Sequence, residues 1–438
     1  MTKKVIKYVF VFICSLVFLN FIPFDLDEIW NYGFMHSMYS GLVPYRDFNM
    51  VVTPFFPLLF SLPFHLFGSN LLVVNVCQSL LIVLTYVLLE KLIGDKANIL
   101  LLLMFFNYDM MYASYNYFIF FLFLSLLYLE KNKSNDYVIG IVIGLAVLTK
   151  QSVGGLLAIV SLYYVFKEKD FKKLVKRVIG AMLPVGLFLI YLAVTGAFAD
   201  FVNLCILGLF DFGTNNYVGV RALVLGYILL IGVVIYFIVK RRNSIDKYYV
   251  LAFSTIAIPM FDYFHIKFFV LALLILVLEK INIKKINLNL LLYGSMIGIV
   301  FINLIVSVDG DMVYPNSIKH FEYRYISSKH IKETQLVSEK LKDYSDKELL
   351  LLFEQSYYYK ISNDFPINHF DLINTGNWGY KGSEKLLKEL KKKKDAVFVI
   401  NRLSYEGTRQ TDKTALNYVL KNCKKIDEIY GFEFYIRK

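Results

Sequence analysis

Cysteine is scarce in this chain and poorly placed for chemistry. The four residues Cys14, Cys77, Cys205 and Cys423 include no C-x-x-C pair, which excludes a thiolate metal knuckle and a disulfide scaffold. Three lie in or beside apolar runs. The polar C-terminal part holds only Cys423, so it cannot close a disulfide on itself. Charge is also thin: Asp, Glu, Lys and Arg make up 19% of the residues, below the roughly 25% of soluble domains. There is no internal repeat, and no small-residue cleavage site follows the first apolar run, which reads as an uncleaved first span. What the chain has instead is apolar and aromatic mass. It is 57% hydrophobic, with 33 Tyr and 39 Phe, and its mean hydropathy is +0.53. This is the composition of a polytopic membrane protein.

The net charge of +12 would point to nucleic acid in a soluble protein. Here the basic residues sit between apolar runs, where membrane topology accounts for them, and no nucleic-acid module is present. Since a crossing takes roughly 20 apolar residues, runs near 5–22, 70–93, 98–113, 115–130, 137–149, 151–166, 178–196, 218–239, 248–263, 266–279 and 287–307 give about 11 transmembrane helices. With the N-terminus in the cytoplasm, the inner segments collect Lys3, Lys4 and Lys7, then Lys91 and Lys96, then Lys131 and Lys133. KEKDFKKLVKR at 167–177, KRR at 240–242 with Lys247, and Lys280, Lys284 and Lys285 complete that set. The outer short segments hold only Arg46, Lys150, Arg221 and Lys267. That asymmetry follows the positive-inside rule. An odd number of crossings then places residues 308–438 outside the cell membrane.

Residues 308–438 lack any long apolar run and change charge quickly, as a soluble domain does. Helices are expected over 329–344, 383–395 and around 413–423, and strands over 348–355, 396–402 and 432–438. The alternation predicts a small extracytoplasmic α/β layer. It contains no phosphate loop and no nucleophile motif.

The unusual chemistry gathers on the outer face. Asp25, Asp27 and Glu28 follow directly on the first span. Asp47 lies in GLVPYRDF, Asp109 in FFNYDMMY, Lys150 in VLTKQSVGG, and Asp262 and His265 in PMFDYFHIK. Ionisable groups at the edge of hydrocarbon are costly and usually face a cavity or pair with one another. Lys150 splits two apolar runs with almost no loop. It reads either as a lysine snorkelling from a helix end or as a point charge for a phosphate.

Within the first outer loop, 23–69, apolar residues at helical spacing run up to a stop at Gly41, as in a helix lying along the membrane surface. Pro54, Pro57 and Pro63 then predict a kinked, partly inserted segment. His36 and His65 in this loop fit ordinary interfacial histidines better than ligands. Asp25 and Glu28 have the D-x-x-E spacing of a capping box, so both also have a structural explanation. Capping does not require Asp27.

These stretches, taken in order, carry a family resemblance. They are DE at 27–28, GLVPYRDF at 41–48, GIVIGLAVLTKQ at 140–151 and FDYFH at 261–265. Over roughly residues 1–307 the chain resembles the bacterial relatives of protein mannosyltransferases and aminoarabinose transferases, of the GT-C class of membrane glycosyltransferases. The resemblance implies transfer of a sugar, with inversion, from a polyprenyl-phosphate donor to a lipid, glycan or protein acceptor at the outer face. It makes Asp27 the general base, with Glu28 and Asp47 positioning sugar or acceptor and Lys150 meeting the donor phosphate. Asp109, Asp262 and His265 join as substrate-binding candidates. The arginine that often precedes the acid of the late motif is missing, since Met260 and Phe261 stand there. Arg221 or Lys267 are the available replacements. Some members of the wider class need a divalent metal. The acids here could bind one, but the mannosyltransferase-like branch does not imply it, and no metal or cofactor is assigned. The alternatives are a polysaccharide ligase or polymerase, a lipid-linked sugar flippase or transporter, and a membrane scaffold presenting the C-terminal domain. A transporter commonly shows repeated halves, and none is found.

Overall fold

The computed structural model describes residues 2–215, 245–257, 263–282, 287–309, 312–313, 317–374, 376–406 and 411–438. Among the described residues the apolar part is mostly helical. Helices α1 (Thr2–Phe21), α2 (Leu26–Tyr39), α3 (Phe55–Ser61), α4 (Phe64–Phe67), α5 (Leu71–Ile93), α6 (Ala97–Phe106), α7 (Tyr115–Lys131) and α8 (Asp136–Val147) come first. They are followed by α9 (Gln151–Lys167), α10 (Phe171–Thr195), α11 (Phe198–Phe201), a π-helical turn at Val202–Leu207, and α12 (Gly208–Asn215). Helices Ile245–Ser254, Tyr263–Lys280 and Leu288–Asp309 complete this part.

Among the described residues, four helical stretches are long and apolar enough to cross a membrane: Lys3–Phe21, Leu71–Phe106, Phe171–Thr195 and Leu288–Ile305. The sequence shows eleven apolar runs. Those near 137–149 and 151–166 form the shorter helices α8 and α9, because Thr149 and Lys150 break them, and the run at 218–239 lies outside the described residues. On α10 the exposed residues Ile179, Leu183, Leu187, Ile190 and Val194 recur every three or four positions. Such an outward apolar stripe suits lipid rather than water. The opposite face of α10 packs on α8. A methyl group added at Gly140 or Gly144 would strike the α10 backbone, so these glycines of GIVIG permit close helix contact.

The helix ends sort into two groups. At one end Lys7 pairs with Glu90, Lys131 lies 2.9 Å from Glu279, and Arg177 reaches both Glu130 and Asp136. At the other end lie Asn20, Asn70 and the turn at 148–151, where the chain packs against residues 23–69 and the C-terminal part. As the proline spacing predicts, the segment after Pro54 is broken: α3 and α4 are separated at Leu62–Pro63, with Leu58, Leu62, Leu66 and Phe67 exposed. Helix α2 ends before Gly41, whose φ of +84° lies in the left-handed region that glycine adopts readily.

In the C-terminal part, β1 (Met312–Val313) pairs with β2 (Ile326–Ser327). The main sheet contains β3 (Leu349–Leu351), β4 (Val397–Asn401), β5 (Cys423–Ile429) and β6 (Phe432–Arg437), in the order β3-β4-β6-β5. β3 and β4 run parallel and the other pairs antiparallel. The three expected helices form as Ser328–Lys342, Gly382–Lys392 and Lys413–Asn422. β5 is a correction, since no strand was expected there. Its sequence CKKIDEI is largely exposed and charged, as an edge strand tolerates. The expected strand at 348–355 is cut short, because the chain turns after Leu352 into helix Ser356–Ser362.

Strand alternation gives the sheet two buried faces. Leu350, Phe398, Ile400 and Tyr435 pack with Leu386, Leu390 and Val419 of the covering helices. Leu349, Leu351, Val397, Val399 and Phe434 belong instead to a core that continues into α1 and α2. Backbone bonds reinforce that union. Tyr325 N–H donates to the Asn20 carbonyl at 2.9 Å, and Leu71 N–H to that of His320 at 2.9 Å. Trp30 Nε1–H donates to the Glu354 carbonyl at 3.1 Å.

Candidate functional site

The acidic stretch opens α2 and its three carboxylates separate. Asp25 is the N-cap, in extended conformation, and its Oδ1 accepts the Asp27 N–H at 2.8 Å. Burial raises its carboxyl, with the N–H groups of Asp27 and Glu28 opposing and nearby Asp109 adding to the rise. Asp27 sits in the first turn, where the helix dipole favours an anion, and is half-buried. Its carbonyl accepts from Asn31 Nδ2 at 2.6 Å.

Glu28, expected as the second half of a capping box or as a substrate ligand, meets the Asp25 backbone N–H as a capping box requires and also turns inward to Arg324. Arg324 Nη2 donates to Oε2 at 2.9 Å and Nη1 to Oε1 at 3.2 Å. Arg324 also donates to the carbonyls of Leu19 and Pro23 and lies 5.1 Å from the Phe24 ring centroid. Burial pushes the Glu28 carboxyl up to about 7, while Arg324 pulls it down. Arg324 therefore ties together the end of α1, the start of α2 and the C-terminal part.

The segment between α6 and α7 links the other candidates. Asp109 Oδ2 accepts from Lys267 Nζ at 2.5 Å. Lys267 is two residues beyond His265, which is buried near the start of helix Tyr263–Lys280. Tyr112 OH donates to the Pro23 carbonyl. Asn116 Oδ1 accepts from Lys150 Nζ at 2.6 Å, and the ammonium also lies 5.3 Å from the Tyr115 ring centroid. Asp262 and Arg221 lie outside the described residues.

Lys150 stands in extended conformation just before α9 and is nine-tenths buried. Its turn is held by the first loop. Phe55 N–H donates to the Leu148 carbonyl at 2.9 Å, and Thr53 Oγ1–H to that of Val147 at 2.9 Å. Gln151 Nε2 donates to the carbonyls of both Val51 and Cys205 at 2.9 Å. The proline-rich stretch, the TKQ turn and the π-helical turn thus meet at one place.

Asp47 closes its own loop. Its Oδ2 accepts the Val43 N–H at 2.7 Å, and both oxygens accept from the Arg46 guanidinium at 2.8 and 2.9 Å. The Arg46 fork holds the Asp47 carboxyl below its usual range. Among the described residues no group of three His, Cys, Asp or Glu side chains converges. Two partners were not foreseen. Arg324 is a lone arginine in FEYRY, and an arginine surrounded by aromatics is a usable signal of a buried cation. Asn116, an amide at the head of an apolar run, is the other.

No protein-family model matches the chain, and neither does any curated protein. Among solved structures, the crystal structure of ArnT from Cupriavidus metallidurans bound to undecaprenyl phosphate is similar over 99% of this chain and 98% of its own. The TM-score is 0.53 and the identity 12%. The same protein in the apo state gives a TM-score of 0.50 at 13% identity, with the same coverage. The chain thus has an ArnT-like fold, and its long apolar helices make it a multi-pass membrane protein.

Proposed function

We propose that this chain is an integral membrane glycosyltransferase that moves a sugar from a polyprenyl-phosphate donor to an acceptor at the outer membrane face, with inversion. The observation that carries this reading is the match along nearly the whole chain to ArnT, one of whose structures holds undecaprenyl phosphate. The motif order in the sequence supports the same class independently.

In this reaction the acceptor oxygen attacks the anomeric carbon, its bond to that carbon forms, and the bond from carbon to the phosphate oxygen breaks. Asp27 takes the hydroxyl proton as general base. It suits the task because it is half-buried and Asp25 already serves as the cap. Lys150 meets the departing phosphate, in a turn held by the first loop. Glu28 orients the first turn of α2 through Arg324. Asp47 shapes the loop, Asp109 and His265 flank the sugar, and Asp262 remains a sugar-binding candidate on the sequence resemblance alone. The acceptor is a lipid, a glycan or a protein. The helix end that carries residues 23–69 and the C-terminal part faces outward, and the Arg177 end faces the cytoplasm.

The test is turnover of a polyprenyl-phosphate sugar by the reconstituted protein. Asp27→Asn should lower turnover by about 10²–10⁴-fold with normal insertion in the membrane. Wild-type turnover in that variant would overturn the assignment. Cysteines introduced at 380 and 172 should label from outside and inside respectively, and the reverse pattern would remove the site from the outer face.

A further inference from the structure

A cleft of about 440 Å³ lies between the first loop, the π-helical turn and the C-terminal part, within the roughly 300–1,000 Å³ of ligand pockets. Tyr45 and Asn49 of the first loop, Asn203 and Leu204 of the π-helical turn, and His369 and Trp378 of the C-terminal part all line it. We infer that this cleft binds an uncharged sugar of the acceptor, outside the membrane and beside the transfer site. The inference rests on the transferase reading above.

Three observations support it. First, the cleft adjoins the candidate site. Gln151, next to Lys150, donates to the Cys205 carbonyl, one residue beyond the cleft-lining Asn203 and Leu204. The first loop, which carries Asp27 near its start, forms another wall through Tyr45 and Asn49 and is locked to the C-terminal part. Asn49 Nδ2 donates to the His369 carbonyl at 3.1 Å, and Asn49 Oδ1 lies 2.8 Å from His369 Nδ1.

Second, the ionic lining is balanced. Lys385, Lys388 and Lys393 line it with Asp200, Glu348 and Glu389. Lys393 lies 2.5 Å from Glu348, Glu389 lies 2.6 Å from Lys392, and Lys385 donates to Asn203 Oδ1 at 2.6 Å, which leaves Lys388 and Asp200 open. An anionic ligand would meet as many carboxylates as ammonium groups, whereas a neutral polyhydroxyl ligand can use both as hydrogen-bond partners.

Third, one buried donor is unpaired and two charged groups are open. Trp378 is more than nine-tenths buried, and its Nε1–H has no hydrogen-bond partner among the described residues. A buried donor left unpaired is costly, and the Trp378 side chain lines the cleft wall. Lys388 and Asp200 are exposed and make no hydrogen bond or ion pair among the described residues. A donor and an acceptor are thus available in the lining.

The chain has only two tryptophans, Trp30 and Trp378, so Trp30→Phe isolates the cleft fluorophore. Purified protein is titrated with maltotriose, cellotriose and chitotriose, and in parallel with glucose 6-phosphate and inorganic phosphate. At least one neutral trisaccharide should shift Trp378 emission saturably, and Lys388→Met and Asp200→Asn should each weaken that response at least several-fold. A response to the phosphates alone, no response to any trisaccharide, or a response unchanged in both variants overturns the inference. If Trp30→Phe does not fold, the difference between wild type and Trp378→Phe isolates the same signal. Asp27→Asn should bind the trisaccharide like wild type. If it also keeps full turnover, Asp27 is not the base and the cleft stands; if wild type turns over no polyprenyl-phosphate sugar although a trisaccharide binds, the transferase reading fails and the cleft is a sugar site of another kind. If Asp27→Asn loses turnover but no trisaccharide binds, the cleft inference alone fails.

Discussion

Arg324 and Glu28 form a two-point ion pair in which the side chains are 0% and 1% exposed. The arginine lies beyond the last long helix and the glutamate in the first turn of α2, one residue from Asp27. The pair therefore fastens the C-terminal part to the helix that carries the proposed base. Breaking a buried pair from one side costs about 3–5 kcal/mol, because the remaining charge is stranded. Arg324→Ala should lower thermal stability by that order, read by a thiol-reactive dye on the four free cysteines. The double variant Arg324→Met with Glu28→Gln should recover part of the loss. Equal stability of single and double variants would show that the pair does not couple the two parts. Arg324→Lys keeps the charge but loses the planar fork and should recover only part of the stability.

His36 carries a pH response with a defined sign. Its Nδ1 lies 2.8 Å from Ser69 Oγ and its ring 5.4 Å from that of His320. Burial, with the neighbouring His320 and Lys319 adding to it and Asp364 opposing, lowers its pKa from 6.5 to about 4. The unfolded chain takes up this proton near 6.5 while the folded protein resists it down to about 4. The contribution to stability is complete above 6.5 and lost as pH falls toward 4, up to roughly 3 kcal/mol in all. His36→Gln should flatten the fall in melting temperature across that window, leaving behaviour above pH 7 unchanged. Parallel curves for the two proteins would rule out His36 as the source.

Gly33 tests how closely the C-terminal part seats on α2. A methyl group there would overlap the ring of Tyr357, which is fully buried. Overpacking of this kind costs about 1–3 kcal/mol. Gly33→Ala should increase hydrogen exchange in helix Ser356–Ser362 and in α2, with the α8–α10 contact unaffected. Wild-type exchange at both elements would show that the two are not seated on one another.

The tail helices and three of the four strands of its main sheet are legible in the sequence because their apolar periods are clean. β5 is not, since its exposed side chains are charged on an edge strand. The acidic cap was also legible, because an Asp before an apolar helix satisfies a fixed local need. Glu28 shows where local reasoning stops. D-x-x-E spacing describes the cap, in which the Asp25 N–H reaches the Glu28 carboxylate, but it cannot show Arg324, 296 positions away, which engages both oxygens of that carboxylate. Lys150 was singled out by its cost in an apolar setting, but Asn116 could be found only from the fold. The GIVIG glycines illustrate the converse. Within the motif they accompany the TKQ turn, and in the structure they allow α8 to approach α10.

The Lys150–Asn116 contact separates charge from shape at the proposed phosphate position. Asn116 Oδ1 accepts from the ammonium at 2.6 Å, and Asn116 Nδ2 is buried with no hydrogen-bond partner among the described residues. Asn116→Asp is nearly isosteric and sets a carboxylate against Lys150. It should preserve the fold while offsetting the charge offered to a lipid phosphate. Lys150→Ala removes the charge altogether. Truncating one member of a buried charge pair costs about 2–5 kcal/mol, so Lys150→Ala should weaken binding of undecaprenyl phosphate by roughly 30-fold or more, measured by native mass spectrometry in detergent. Asn116→Asp should fall between this and wild type, and Lys150→Arg nearer to wild type. If Lys150→Ala binds undecaprenyl phosphate as wild type does, the phosphate must lie elsewhere. Lys267, now paired with Asp109, would then be the next cation to replace.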